Sequence, residues 1–262
     1  MNEKIWQYLG NSKVIFIILF LAAFLPYSNI FSNEFVYDDP SHFLDWEGIK
    51  NIDIQAYFAG EHPRNYPHLY RPIRTIIQAL VYKTTRTDPF GYHVFSILIH
   101  FINTFLFFFI AKKLTNQKAA LLTAVFFAVL PVHVMSVTFM TASFNTAGVI
   151  FILLSFYLYI LFREKNQKIY FFSSLAIACI AYFSYEAALV LPLLLILYEI
   201  CFRVHPKNLP SLAKYLGWYF LGGMILLVIR SQVLKSIYTV PFLEPITFTT
   251  RMLTASKAFM EY

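Results

Sequence analysis

The chain has 262 residues, of which 58% are hydrophobic, 19% are aromatic and only 13% are charged. A soluble domain carries about 25% charged residues, so this composition excludes a water-soluble enzyme or nucleic-acid-binding domain. The net charge is +7, but the basic residues stand between apolar runs, as they do in integral membrane proteins.

Apolar runs of membrane-spanning length occur along most of the chain. A helix needs about 20 apolar residues to cross the hydrocarbon core. The predicted spans are residues 14–31, 92–111, 119–137, 146–162 and 212–229, together with 169–202, which divides into two at Ser184-Tyr185-Glu186. Pro131 and His133 indicate a broken end to the third span. We therefore predict an all-α, polytopic membrane protein with about seven transmembrane helices.

Basic residues mark alternate connections between these spans. They are Lys112, Lys113, Lys118, Arg163, Lys165, Lys168, Arg203, Lys207 and Lys214, and the other short connections have none. Because Lys and Arg concentrate in cytoplasmic loops, the marked connections are predicted to be cytoplasmic. Lys4 and Lys13 place the N-terminus on the same side, and the first span is predicted to be a retained signal anchor.

This topology leaves residues 32–91 as a large outer loop. Within it, apolar residues repeat at helical spacing over Ile73, Ile76, Ile77, Leu80 and Val81. The pattern predicts an amphipathic helix lying at the membrane surface. A helix packed on other protein fits the same periodicity.

An acidic pair, Asp38 and Asp39, lies shortly beyond the first span. Adjacent like charges raise the pKa of one carboxyl, which suits a general base at neutral pH. A solvated turn is the alternative, because Asp-Pro is an ordinary turn signal.

A basic and aromatic stretch from Arg64 to Arg74 follows in the same loop. The guanidinium groups of Arg71 and Arg74 present a fork of donors suited to a lipid phosphate. The alternative is that they only anchor the helix at the membrane. Arg230 lies at the outer end of the last predicted span.

Polar residues inside the spans are further candidates. His93, Ser96, His100 and Asn103 share one helical face. Hydrogen bonding between helices is the simpler interpretation for the deeper residues, and His93, near the outer mouth, is the better functional candidate. Glu186 lies at an outer turn between two spans.

Several nucleotide and catalytic motifs are absent from the sequence. It contains no G-x-x-x-x-G-K, G-x-G-x-x-G, G-x-S-x-G or H-E-x-x-H. The acidic pair has no evident third ligand for a divalent metal, and the two cysteines have no zinc-binding spacing. We therefore predict no cofactor and no nucleic-acid partner.

The order of the remaining motifs resembles a known family. The motifs are Tyr37-Asp38-Asp39, Tyr70-Arg71-Pro72-Ile73, Asp88-Pro89-Phe90-Gly91-Tyr92-His93, Pro131-Val132-His133-Val134 and Glu186-Ala187-Ala188-Leu189-Val190-Leu191-Pro192. They resemble the membrane half of the tetratricopeptide-repeat transmembrane O-mannosyltransferases and their bacterial relatives, which are GT-C type glycosyltransferases. The resemblance implies that residues 1–262 form one GT-C-like transmembrane domain, which is either the N-terminal part of a longer protein or a shortened protein that works with partners.

The resemblance also implies a reaction and a site. A mannose-like sugar would move from a polyprenyl-phosphate donor to a hydroxyl on an acceptor protein or glycan, at the non-cytoplasmic face and with inversion. Asp38 would act as the base with Asp39 beside it, and Arg71, Arg74 and Arg230 would bind the donor phosphate. Tyr70, His93, His133 and Glu186 would line the cavity. The membrane would be the bacterial inner membrane, or that of the endoplasmic reticulum in a eukaryote.

The chain departs from the family pattern at several outer positions. These are Ser96, Leu130, Met135, Ser143, Asn145 and Tyr185, where the family usually has other polar or charged residues. A second hypothesis is therefore a non-catalytic GT-C-like membrane subunit that binds lipid or partner proteins in a larger complex. A transporter ranks third, because no inverted repeat is visible.

Overall fold

The computed structural model of this chain describes residues 11–61, 69–202, 209–237 and 247–261, and over these ranges the secondary structure is helical, without strands. The α-helices are α1 Ser12–Phe24, α2 Asp39–Phe43, α3 Ile54–Phe58, α4 Pro72–Thr85, α5 Pro89–Leu114, α6 Gln117–Val129, α7 Val134–Thr138, α8 Met140–Lys165, α9 Lys168–Ser184, α10 Leu191–Phe202, α11 Leu209–Ile237 and α12 Phe248–Glu261. Within the same ranges, 3₁₀ segments cover Leu25–Ser32, Glu47–Ile49, Pro131–His133 and Glu186–Val190. Lys4, Arg64, Arg203 and Lys207 lie outside the described residues. The all-α fold class is confirmed.

Four helical stretches of the described chain are long and apolar enough to cross a membrane. They are Ser12–Ser32, Pro89–Leu114, Met140–Lys165 and Ala213–Leu234, and the bent pair Gln117–Val129 and Pro131–Thr138 makes a fifth if it counts as one span. Helices α9 and α10 are apolar but have only 17 and 12 residues, fewer than the roughly 20 of a typical span. The chain is a multi-pass membrane protein, and the number seven stays a prediction.

The third predicted span is broken where the sequence indicates a break. Its two parts meet at an angle of 50°, because Pro131 has no N–H and cannot continue the hydrogen bonding of α6. The break leaves backbone carbonyls of α6 without helical partners. His100 Nε2 donates to the carbonyl of Ala128 in the last turn of α6 at 3.0 Å. The Tyr27 hydroxyl donates at 3.3 Å to the carbonyl of Leu130, which follows α6 and also accepts from the backbone N of His133. The deep histidine of the polar stripe is thus a structural residue.

The outer loop is held to the membrane helices by an aromatic core. Phe43 and Tyr57 of the loop, together with Tyr92 of α5 and Phe144 of α8, are fully buried in it. The rings of Phe43 and Tyr92 have centroids 4.5 Å apart, a close contact for an aromatic pair. This core fixes the height of residues 38–42 above the start of α8.

Helix α4 forms where the apolar repeat predicts an amphipathic helix, and it packs against α3, α5, α8 and α9. Its buried polar side chains are Arg74, Thr75 and Gln78, whereas Leu80 is 51% exposed. The polar face therefore points into the protein, and the apolar stripe lies partly at the surface. Arg71, the residue preceding the helix, is consequently held against the membrane helices.

The DPFGYH motif builds the tight turn between α4 and α5. Asp88 caps α5 and Pro89 occupies its first turn. Tyr92 is fully buried, and its hydroxyl donates back to the turn's backbone at 2.9 Å. Gly91 is needed because a Cβ there would lie 2.3 Å from Thr85 Cγ2 and 2.9 Å from Thr85 Cβ.

We expect Gly91→Ala to lower stability by about 1–3 kcal/mol, because the new methyl group forces α4 and α5 apart. Thermal unfolding in detergent measures the change. The matched control is Gly217→Ala in α11, where an added Cβ meets no atom within 4 Å. The melting temperature of this control should equal or exceed that of the wild-type protein, since Ala is a better helix former than Gly. Equal melting temperatures for both variants would show that the turn tolerates a side chain.

Candidate active site

A cavity of about 270 Å³ lies between the outer loop, the start of α4 and the first turns of α8. The lining residues are Asp38, His42, Leu69, Arg71, Arg74, Phe139, Thr141, Ala142 and Asn145. The structure thus brings three predicted site residues, Asp38, Arg71 and Arg74, to one cavity. Their catalytic and phosphate-binding roles stay predictions.

The two neighbouring aspartates have different surroundings. Asp38 is half-buried at the cavity, and no group in the described part of the chain donates a hydrogen bond to its carboxylate. Asp39 is fully buried. Its Oδ1 accepts from the backbone N and the Oγ1 of Thr141 at 2.8 and 2.7 Å, and its Oδ2 accepts from the backbone N of Val36 at 3.2 Å. Asp38 is therefore open to a ligand, and Asp39 ties the loop to α8.

Burial raises the pKa of the Asp39 carboxyl, and the hydrogen bonds from Thr141 and Val36 oppose that rise. A carboxyl with a higher pKa in the folded chain binds its proton more tightly there than in the unfolded chain. Its contribution to stability is complete below the ordinary pKa and is lost as the pH rises through the raised pKa. The ionised carboxylate consequently depends on its three donors.

We expect Thr141→Val to lower stability by about 1.5–3 kcal/mol where Asp39 is ionised, because a hydrogen bond to a charged group is lost. The loss in melting temperature should grow as the pH rises from roughly 4 to 8, since the ordinary pKa of Asp is about 3.9. Thermal unfolding in detergent at several pH values measures it. Thr141→Ser keeps the hydroxyl and serves as the control, and a loss independent of pH would contradict this account of the donor.

Tyr37, next to the acidic pair, has an unusual backbone conformation. Its φ is 57°, in the left-handed region that a bulky residue seldom adopts. Its side chain is 90% exposed, and its ring lies edge-on to Phe139 at 6.2 Å between centroids. Such strain persists only where the surroundings hold it, and the bonds of Asp39 to Val36 and Thr141 do so here.

Arg71 is held from three sides. Its Nε donates to Glu186 Oε2 at 2.7 Å, and its Nη1 donates to Asn145 Oδ1 at 2.7 Å. The guanidinium carbon stands 5.2 Å from the centre of the Tyr185 ring, within the range of a cation–π contact. These partners come from α8 and from the break between α9 and α10. The helix is interrupted at residues 184–186, where a turn between two spans was predicted, and Glu186 in this interruption contacts Arg71.

Glu186 is shared between two arginines. Arg71 donates to Glu186 Oε2, and Arg230 of α11 donates to Glu186 Oε1. Burial raises the pKa of the Glu186 carboxyl, but the guanidinium groups outweigh burial and hold this pKa below its ordinary value. Glu186 is therefore ionised at neutral pH and balances part of the positive charge around it.

Arg74 and His42 form the deeper wall of the cavity. Arg74 is buried and donates to Gln78 Oε1 and to the carbonyl of Thr141, both at 3.1 Å. Burial and the charge of Arg71 lower the pKa of Arg74 to about 9, so it stays protonated at neutral pH. Burial and the charges of Arg74 and Arg71 lower the pKa of His42 to about 3. His42 is therefore a neutral imidazole beside two cations.

None of the four residues predicted to line the cavity is among its lining residues. Glu186 reaches the cavity only through its ion pair with Arg71, and Tyr70, His93 and His133 bond or pack elsewhere. Tyr70 is buried behind Arg71, and its hydroxyl donates to the backbone of α3 at 3.1 Å. His93 is fully buried, with Nε2 at 3.1 Å from the carbonyl oxygen of residue 33. The ring of His133 packs on Phe127 with centroids 4.4 Å apart.

Sequence reasoning missed His42 and Thr141. His42 lies one helical turn after Asp39, a spacing that signals a shared face. Thr141 gave no signal, because an isolated threonine at the start of a span is common. Asn145 and Tyr185 stood out only as departures from the family pattern, and both contact Arg71.

An apolar groove of about 730 Å³ adjoins this cavity, and Phe139 lines both. The groove is lined by Ser32, Asn33, Glu34, Val36, Tyr37, Met135, Thr138 and Phe139. Concave, largely apolar surfaces of this size accommodate hydrophobic or amphipathic ligands. Within the described ranges, no three His, Cys, Asp or Glu side chains are grouped as they would be to hold a metal ion.

Comparison with known proteins identifies the family. Residues 62–234, about two thirds of the chain, match the family described as dolichyl-phosphate-mannose-protein mannosyltransferase. The chain is 30% identical to Protein O-mannosyl-transferase F38B6.6 of Caenorhabditis elegans over 172 residues, covering 61% of the chain and 25% of that protein. It is 24% identical to Protein O-mannosyl-transferase TMTC3 of Homo sapiens, covering 61% of the chain and 18% of that protein. The mouse TMTC3 protein is 22% identical, with 87% of the chain and 26% of that protein covered.

The chain spans about a quarter or less of the length of these relatives. The family match begins after Asp38 and His42, and it covers the second half of the outer loop and the helices that carry Asn145, Glu186 and Arg230. This multi-pass integral membrane protein therefore belongs to the dolichyl-phosphate-mannose-protein mannosyltransferase family.

Proposed function

We propose that this chain is the membrane part of a glycosyltransferase that transfers a mannose-like sugar from a polyprenyl-phosphate donor to a hydroxyl acceptor. The observation that carries the proposal is that Asp38 and Arg71 line the same cavity. A transfer from phosphate needs a base at the acceptor and a cation at the leaving group. The curated relatives are named O-mannosyl-transferases, which agrees with this chemistry.

In the proposed reaction, Asp38 accepts the proton of the acceptor hydroxyl as the oxygen attacks the anomeric carbon. The bond between that carbon and the phosphate oxygen breaks on the opposite face, and its electron pair leaves with the phosphate. The configuration at the carbon is therefore inverted. Arg71 and Arg74 stabilise the negative charge that grows on the leaving phosphate. Arg71 and Arg74 are cations and His42 is neutral, so this part of the cavity is positive.

The proposal places the outer loop on the non-cytoplasmic side and the N-terminus in the cytoplasm, as the basic connections predict. Helix α4 would then lie with its partly exposed apolar stripe at the outer membrane surface. The groove beside Phe139 gives an amphipathic ligand a path from that surface to Asp38.

A non-catalytic lipid- or protein-binding subunit is the second candidate. The observation in its favour is the strong exposure of apolar side chains that line the groove, with Tyr37 at 90%, Met135 at 66% and Val36 at 52%. Exposed apolar surface of this kind marks sites of lipid or protein contact. Under this hypothesis the cavity binds a lipid phosphate without turnover.

The test is a transfer assay with the purified protein in liposomes. Radiolabelled mannose is supplied either on polyprenyl phosphate or on a nucleotide, with a serine- and threonine-containing peptide as acceptor. We expect label on the peptide from the lipid donor alone. Transfer from the nucleotide donor would overturn the proposed donor class, and lipid binding without transfer would favour the second candidate.

A further inference from the structure

Arg71 lines the same cavity as Asp38, so the orientation of its guanidinium decides where a phosphate can bind there. A free arginine side chain has many rotamers and loses this freedom when it binds a ligand. In this structure two of its three nitrogens are already engaged, Nε by Glu186 and Nη1 by Asn145. Among the described residues, Nη2 has no protein acceptor, and it remains for a ligand.

The partners of Arg71 are themselves held in place. Asn145 lies in α8, and Gly148 follows it one helical turn later. A Cβ at Gly148 would lie 2.8 Å from Tyr185 Cβ. The glycine thus lets the break after α9 approach α8 closely, and that approach sets Tyr185 against the guanidinium.

If Arg71 alone paired with Glu186, their two charges would cancel, and the pair would attract a phosphate only weakly. Arg230 donates to the second carboxylate oxygen. It lies outside the lining of the Asp38 cavity, whereas Arg71 and Arg74 belong to it. Two cations on one carboxylate leave a net positive charge next to Arg74. Arg230 therefore acts on the cavity through Glu186.

From these contacts we infer that Asn145, Tyr185 and Glu186 are positioning residues. They hold the Arg71 guanidinium with Nη2 toward the cavity. Arg230 neutralises Glu186, so that a phosphate group can bind beside it. The inference rests on the proposed function for its ligand, the phosphate of a polyprenyl-phosphate donor. It assigns Arg230 an indirect role in place of direct phosphate contact.

The experiment measures binding of polyprenyl phosphate, without sugar, to the purified protein in detergent. Asn145→Ala removes the acceptor for Nη1, and we expect its Kd to rise about tenfold, the effect of losing one hydrogen bond to a charged group. The donor KM in the transfer assay should rise by the same factor. Inorganic phosphate, tested in parallel, shows whether the prenyl chain contributes to binding.

The matched control is Asn103→Ala. Asn103 donates to the backbone carbonyl of Thr146 at 3.1 Å, beside Asn145 but away from Arg71. We expect this variant to lose melting temperature and keep its Kd within about twofold, since its lost bond is structural. If the Kd rose equally for Asn145→Ala and Asn103→Ala, the effect would come from packing, and the inference would be overturned.

Tyr185 provides a second comparison if Asn145→Ala does not fold. Tyr185→Phe keeps the ring over Arg71, and Tyr185→Leu removes it at similar volume. We expect weaker lipid binding for the leucine variant alone, and identical binding by both would contradict a role for the ring. A wild-type protein that binds the lipid but transfers no sugar would refute the proposed function and leave this inference standing.

Discussion

Asp38→Asn is expected to abolish measurable sugar transfer. Among the described residues, Asp38 provides the only carboxylate that lines the cavity, and no described group donates a hydrogen bond to it. General-base catalysis contributes about 10²–10⁴-fold to a rate, and a loss of that size is expected here. The melting temperature should not change, since the Asp38 side chain makes no hydrogen bond that the amide would lose. Initial transfer rates at saturating donor, with thermal unfolding measured on the same preparation, check both points.

Two further variants make this result specific. Asp45→Asn removes an exposed carboxylate from the same loop and should leave transfer unchanged. Asp39→Asn should lower the melting temperature, because the amide would direct an N–H group toward the backbone donor of Val36 or of Thr141. Retained activity in folded Asp38→Asn would refute the assignment of the base.

Arg71→Gln is expected to lower kcat/KM for the lipid donor by about 10²–10³-fold, the usual effect of losing one charged stabiliser of a transition state. The glutamine side chain is shorter and uncharged, so it cannot bridge Glu186 and Asn145 or balance a phosphate. Steady-state kinetics with varied donor concentration give the value. Arg71→Lys should recover only part of the loss, because an ammonium group keeps the charge without the planar fork.

The control for the loss of charge is Arg86→Gln. Arg86 belongs to the same outer loop and is exposed at the far end of α4. Its substitution removes one positive charge without touching the cavity, and transfer should stay within about twofold, as screened surface charges contribute little. A similar fall in both variants would mean that the net charge of the loop matters and the Arg71 contacts do not.

The sequence was sufficient to predict the fold class and two of its breaks. Pro131 interrupts an apolar run, and a proline in the interior of a helix kinks or ends it because it has no N–H to donate. The polar residues at 184–186 divide a run too long for one span. The number of spans was harder to predict, because α9 and α10 have only 17 and 12 residues. Composition alone does not show whether such short helices cross the membrane.

The site was predicted only in part, because its contacts join residues far apart in the chain. Arg71 meets Asn145 and Glu186 across separations of 74 and 115 residues. Adjacent aspartates look alike in a sequence. Which one is buried depends on Thr141, 102 residues away, whose N–H and hydroxyl hold Asp39. The sequence therefore predicts which acidic and basic residues belong to the site, but it does not predict which contact each of them makes.

The orientation of α4 has a consequence for how a lipid donor would reach the proposed site. Its polar residues Arg74 and Gln78 face the protein while Leu80 faces outward, so in the arrangement we propose, Arg71 sits at the depth of lipid headgroups. A donor with a prenyl tail would then arrive by lateral diffusion within one leaflet, without passing through water. Its encounter rate would follow the mole fraction of donor in the bilayer, and diluting the vesicles at fixed lipid composition would leave the rate of each enzyme molecule unchanged.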